Sequence, residues 1–259
     1  MKIVKHIPNT ITCLNLFCGT IAIILSFYGG FKVALCMMIA AAIFDFFDGF
    51  AARMLKAYSP LGKELDSLAD MVSFGVAPAM IAFNKMLYMY GIGNNADIFS
   101  LKAELALEFI FPLACTLMIA VFSGLRLAKF NIDTRQSENF IGLATPSCAL
   151  IIGSLVYSIE CYPHISLFFE NNTWIIPALC LFLSFLLVSE IPMFSFKFKS
   201  FGWAQNKLKY SFLLCATAIA VIVTAMAGHF AFSIWIFSTF LFYILLNTAI
   251  WLIGGRKQQ

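Results

Sequence analysis

Asp45, Asp48, Asp66 and Asp70 are the residues with the clearest capacity for chemistry, set in a chain that is otherwise mostly apolar. The first two are three positions apart and the last two are four apart, so each pair shares a helix face. Gly62, Asp66 and Asp70 make an i, i+4, i+8 stripe. Between the pairs the run Lys56-Ala57-Tyr58-Ser59-Pro60 interrupts the apolar pattern. Residues 45–70 therefore read as helix, turn, helix, with four carboxylates facing one another across a hairpin. An ionised Asp near a bilayer centre costs about 2.5–3.5 kcal/mol on insertion scales, and close carboxylates also repel. Arg53, Lys56 and Lys63 sit at or in the turn and are no matching set of cations. Divalent ions are the direct compensation, and all-oxygen ligation favours Mg²⁺ or Mn²⁺. Four carboxylates suit two ions, an arrangement that clamps a phosphoryl group during displacement. Gly49, Ala51, Ala52 and Gly62 leave room for a backbone or a flat ligand to approach. Taken on residue types alone, the aspartate pairs also fit a proton or cation pathway.

The elements that must position these residues are membrane spans. The chain is 61% hydrophobic and 12% charged, with mean hydropathy +0.90; a soluble domain carries about 25% charged residues. The expected fold is an all-α, polytopic transmembrane helix bundle of about eight spans. These lie roughly at 10–28, 33–53, 61–84, 105–128, 141–160, 173–192, 210–228 and 230–253. Connections are short and no repeat is visible, so residues 1–259 read as one domain. With the N-terminus inside, only Lys32, Lys85 and Lys102 of the 17 Lys and Arg fall outside, which places both termini in the cytoplasm of a cell (inner) membrane protein. The carboxylate hairpin then lies at the cytoplasmic interface. The start, Lys2 and Lys5 before an apolar run, mimics a signal peptide but lacks a small-residue cleavage site, so it reads as a retained first span. Residues 195–209, with alternating Phe and Lys, read as an interfacial or simply basic loop. The net charge of +4 fits an anionic membrane surface and gives no case for nucleic acid. The eight cysteines form no CxxC; Cys13, Cys36, Cys115, Cys148, Cys180 and Cys215 sit inside apolar runs and read as small buried hydrophobes.

The hairpin contains D-x2-D-G-x2-A-R-x8-G-x3-D-x3-D complete, as Asp45, Asp48, Gly49, Ala52, Arg53, Gly62, Asp66 and Asp70. This resembles the signature of the CDP-alcohol phosphotransferase family, and the hydrophobic architecture extends the resemblance over a six-span core, with two spans added. The resemblance implies that a CDP-linked lipid is bound through its diphosphate and that an alcohol displaces CMP. It implies one ion on Asp45, Asp48 and Asp66, a second on Asp45, Asp66 and Asp70, and Asp70 as general base. Gly49, Ala52, Arg53 and Gly62 would line the CMP half of the site, and a homodimer is expected. Asp70 comes last of the four along its span, free to point toward an acceptor.

Three further stretches bear on the acceptor. Pro8-Asn9-Thr10-Ile11-Thr12-Cys13-Leu14-Asn15-Leu16-Phe17-Cys18-Gly19 resembles the opening of serine-using members; where Asn15 stands, glycerophosphate-using relatives often carry Arg. Asn9 and Thr12 have groups that can bond the CDP-lipid, although Asn9 also suits plain helix capping. Ser123-Gly124-Leu125-Arg126-Leu127-Ala128-Lys129-Phe130-Asn131 is similar to a run in the same members, with Lys129 where Arg is usual. Phe140-Ile141-Gly142-Leu143-Ala144-Thr145-Pro146 is similar to a third, with Ala144 replacing Pro. Arg126, Lys129 and Asn131 are the expected acceptor-binding residues, since a guanidinium suits a serine carboxylate; marking the inner interface is their bland alternative. The resemblance thus implies CDP-diacylglycerol and L-serine as substrates. The same chemistry with glycerol 3-phosphate or an inositol phosphate, and a cation or proton transporter built on the aspartates, stand as rivals.

Overall fold

The computed structural model describes residues 6–91, 107–133, 140–195 and 202–255. Ten α-helices follow the apolar runs: α1 Ile7–Phe27, α2 Phe31–Met54, α3 Pro60–Asp70, α4 Ala77–Met89, α5 Leu107–Ile132, α6 Thr145–Cys161, α7 Pro163–Asn171, α8 Ile175–Val188, α9 Trp203–Ala227 and α10 Phe232–Gly255. A π-helical turn, Met71–Val76, joins α3 to α4 without a break, so Pro60–Met89 is one long apolar rod. Local chemistry sets the ends. Pro occupies the first turns of α1 and α3, where its missing N–H costs nothing. Ser59 caps α3, its Oγ accepting from the Gly62 N–H at 2.9 Å. Gly228, at φ +71°, closes α9.

Two buried clusters hold the bundle. One joins α1 and α2 to the π turn, α4 and α6 through Ala22, Ala34, Met38, Phe74, Ile81 and Val156. The other gathers α4, α5, α6, α8 and α10 around residues such as Met86, Ile119, Ile152, Leu183 and Tyr243. Contact between α1 and the π turn is unusually close. A Cβ placed on Gly19 would lie 2.2 Å from Ser73 Oγ and 2.7 Å from Ser73 Cα. Backbone would have to move to admit it, and overpacking of this kind costs about 1–3 kcal/mol. Gly19→Ala is therefore expected to lower the melting temperature of the detergent-solubilised protein by roughly 2–12 °C, as followed in a thermal-shift assay.

Helices cover each expected apolar segment, but they are not all of membrane-crossing length. Among the described residues, six helical segments are long and apolar enough to cross a membrane, and the count reaches seven if α6 and α7, bent by 108° at their junction, form one span. Helix α8 has 14 residues, short of the ~20 that span a hydrocarbon core. The expected spans 141–160 and 173–192 ran long because apolar composition continues into a small clip. Phe140–Ile141 and Pro192–Met193 pair as a two-stranded antiparallel ribbon, β1 and β2. Gly142 follows β1 at φ +77°, where a Cβ would meet the Leu187 carbonyl at 2.6 Å, so the helix starts only at Thr145. Lys2 and Lys5, most of the outer loop 85–104 and residues 196–201 of the basic loop lie outside the described residues.

Candidate active site

The C-terminal half of α2 carries Asp45 and Asp48, and α3 returns with Asp66 and Asp70. Lys56, at φ +50°, makes the reversal between them. Asp45, Asp48 and Asp66 each present an oxygen, and these oxygens lie within 4.8 Å of one another. Asp48 is 5% exposed and accepts from the Thr12 hydroxyl at 2.6 Å, which ties α1 to the hairpin. Asp45 interacts with Asp66 on one side and Asp70 on the other. Asp70 accepts from the Asn15 amide, Nδ2 to Oδ1, at 3.3 Å. Asp66 Oδ1 is buried with no protein partner. Buried polar atoms are almost always satisfied, and a convergent set of carboxylate oxygens with one left over fits a hard divalent cation. Asp45, Asp48 and Asp66 are the residues that would hold it.

A cleft of about 210 Å³ opens beside the cluster, between the start of α1 and the hairpin. Asp48 and Asp66 line it. Asn9, Thr12, Gly49, Ala52, Arg53 and Gly62, all expected to meet the CDP-lipid, line its walls. At Gly62 a Cβ would come within 3.0 Å of both Asn9 Oδ1 and Ser59 Oγ, so glycine lets α3 approach α1. At Gly49 a Cβ would find only Arg53 Nη1, at 3.7 Å; here glycine leaves open space. Arg53 and Lys63, which also line the cleft, are both exposed and offer cations to an anionic ligand.

Helix α5 brings the expected acceptor residues, and they diverge. Arg126 is 7% exposed. Its guanidinium lies over Phe130 at 5.2 Å and Phe140 at 5.8 Å, and Nη1 donates to Thr145 Oγ1 at 3.3 Å. Its charge acts on Asp70 and Asp45, while Nε is buried without a partner. Lys129, one turn on, forms an ion pair with Glu190. Asn131 donates to Ser67 Oγ at 2.9 Å and accepts from Lys63 Nζ at 3.3 Å through its carbonyl, so it fastens α5 to α3. Of the three, Arg126 is the residue placed against the carboxylates. In the sequence Asn15 is marked only as a position near which glycerophosphate-using relatives often carry Arg, with no role given to it; the structure sets it against Asp70. An amide side chain inside an apolar run is the available signal, and the structure buries it fully.

Fold and site together define a multi-pass membrane protein with an acidic cluster and an adjoining cleft at one end of its helix bundle. The chain belongs to the CDP-alcohol phosphatidyltransferase family, whose model matches residues 5–186. It is 34% identical over 193 residues to CDP-diacylglycerol–serine O-phosphatidyltransferase of Bacillus subtilis (strain 168), covering 74% of this chain and 92% of that protein. Proteins of the same description in Helicobacter pylori (strain ATCC 700392 / 26695) and Mycobacterium leprae (strain TN) are 31% and 32% identical. Those alignments cover 80% and 72% of this chain, and 77% and 57% of the respective relatives. Helices α9 and α10 lie beyond the family match.

Proposed function

We propose that the chain transfers the phosphatidyl group of CDP-diacylglycerol to the hydroxyl of L-serine, giving phosphatidylserine and CMP. The observation that carries this reading is the placement of one carboxylate cluster between two unlike neighbours. On one side is the cleft with Arg53 and Lys63, suited to a nucleotide diphosphate. On the other is Arg126, a buried guanidinium beside Asp70, suited to a serine carboxylate. The serine acceptor is also in the names of the relatives. Asp70 takes the proton of the serine hydroxyl, whose oxygen bonds to the phosphatidyl phosphorus as the bond from that phosphorus to CMP breaks. Asp45, Asp48 and Asp66 would hold one Mg²⁺ or Mn²⁺ and Asp45, Asp66 and Asp70 a second; such ions neutralise the diphosphate and the charge on departing CMP. The basic residues favour a site on the cytoplasmic face of the cell membrane, where the lipid enters sideways and serine arrives from water, and the protein acts as a homodimer.

The test is CMP release by purified protein supplied with CDP-diacylglycerol and, separately, L-serine, glycerol 3-phosphate or an inositol phosphate. Serine is expected to exceed each phosphorylated acceptor by at least tenfold, roughly the value of one well-placed charged hydrogen bond. A chelator is expected to abolish release. Turnover that prefers a phosphorylated acceptor would overturn the serine assignment and keep the chemistry.

A further inference from the structure

Asn15 lies on α1 with its side chain fully buried. The amide edge that faces Asp70 Oδ1, at 3.3 Å, must be the NH₂ edge, because a carboxylate only accepts. The other edge, Oδ1, is buried and has no partner. The backbone that carries Asn15 is held in place. Its own carbonyl accepts from Ser73 Oγ at 3.0 Å, and one turn later Gly19 packs on Ser73 with no room for a Cβ. Helix α1 is thus fastened to the π turn just beyond Asp70, and with Nδ2 on Asp70 the amide oxygen, on the same planar group, lies close to that carboxylate.

Two further unpartnered buried atoms flank the same turn from α5: Ser123 Oγ and Arg126 Nε. Ser123 packs on the turn at Gly75, where a Cβ would lie 3.0 Å from its own, and Arg126 follows three residues later on the same face. Native structures leave few such groups unsatisfied. Here an amide oxygen and a guanidinium N–H stand unsatisfied on side chains that both act on Asp70, with an unsatisfied hydroxyl further along the turn.

We propose that Asn15 is a positioning and acceptor-recognition residue, its NH₂ holding Asp70 and its Oδ1 accepting from the ammonium group of a zwitterionic hydroxy-amino acid. This rests on the functional reading above and deepens it. The acceptor's carboxylate meets Arg126, its hydroxyl meets the Asp70 carboxylate, and its ammonium meets Asn15 Oδ1. A phosphorylated polyol offers no cationic donor to that oxygen, so Asn15 reads the amine, as Arg126 reads the acid.

The experiment measures CMP release from CDP-diacylglycerol by wild type, Asn15→Leu and Asn15→Asp, each with L-serine and with 3-hydroxypropionate, which is serine without its amino group. Binding of CDP-diacylglycerol, followed as a thermal shift, reports folding independently of turnover. Asn15→Leu is expected to raise the KM for serine about ten- to a hundredfold and to erase most of the preference for serine over 3-hydroxypropionate, with the KM for CDP-diacylglycerol changed less than about twofold. Asn15→Asp keeps an oxygen for the ammonium but loses the N–H to Asp70. It is expected to lower kcat about tenfold while retaining the amine preference, and it decides the matter if the leucine variant shows no lipid-induced shift. An unchanged preference in the leucine variant, or equal losses in both variants with both acceptors, overturns the role of Asn15. Wild type that releases no CMP with serine overturns the functional reading itself.

Discussion

Asp66→Asn is expected to reduce CMP release by about a hundred- to a thousandfold, the scale on which single electrostatic contacts to a transition state act, and yet to make the ion-free protein more stable. The two effects share one cause. Asp66 contributes to the set of oxygens within 4.8 Å of one another, interacts with both Asp45 and Asp48, and keeps Oδ1 buried without a protein partner. Without ions the repulsion among these carboxylates outweighs the hydrogen bond that Asp66 shares with Asp45, so removing one charge relieves the protein. With ions the same oxygen becomes a ligand. Wild type at an ion concentration about a hundredfold above Kd gains about 2.7 kcal/mol by mass action, and the variant is expected to lose most of that gain. Thermal melts with chelator, Mg²⁺ or Mn²⁺ thus give a reading free of turnover: the variant starts higher than wild type and fails to rise. Chelator on wild type and the substitution alone should each abolish activity, and together they should cost little more than either, because they remove one functional unit. A variant that keeps a tenth of wild-type turnover, or that still melts higher with Mg²⁺ by the wild-type amount, would remove Asp66 from the ion site.

The hairpin was legible in the sequence because its information is local. Offsets of three and four place Asp45 with Asp48 and Asp66 with Asp70 on shared faces, and Pro60 after Ser59 marks where α3 begins. The residues of the cleft wall were legible for a second reason: Gly49, Ala52, Arg53 and Gly62 stand at fixed distances from those aspartates. What escaped depends on contacts far apart in the chain. Asn15 meets Asp70 across 55 positions, and nothing in the periodicity of α1 announces it. Lys129 was paired with Arg126 because three residues on a helix make neighbours, but the ends of long side chains diverge, and Glu190, 61 positions away, takes the ammonium. The π turn over Met71–Val76 leaves no signature in apolar spacing, and its contacts, Ser73 against Asn15 and Gly19, are made with residues more than fifty positions away. The shortness of α8 escaped because hydropathy measures composition. Gly142 and Pro192 are apolar enough to extend a span on paper, while their backbones build a ribbon.

Arg126→Ala is expected to raise the KM for serine by about a hundredfold while the KM for CDP-diacylglycerol moves less than about threefold. A charge-assisted hydrogen bond contributes about 1.5–3 kcal/mol, and a guanidinium–carboxylate pair makes two in fixed geometry. Burial removes the solvent that would otherwise compete, since Arg126 is 7% exposed. Arg126→Lys is expected to recover little of the loss. The site is built for a plane, with Phe130 at 5.2 Å and Phe140 at 5.8 Å from the guanidinium carbon; an ammonium lacks both the fork and the stacking surface. Ethanolamine, serine without its carboxylate, supplies the control: wild type should favour serine over it, and the alanine variant should lose that preference. Stability should shift in the opposite sense to Asp66→Asn. The positive charge of Arg126 acts on Asp70 and Asp45, so its removal leaves the ion-free cluster with more uncompensated repulsion and a lower melting temperature. Equal increases in the requirement for serine and for CDP-diacylglycerol would instead place Arg126 on a phosphate of the lipid, and the acceptor would then have to enter from another side of Asp70.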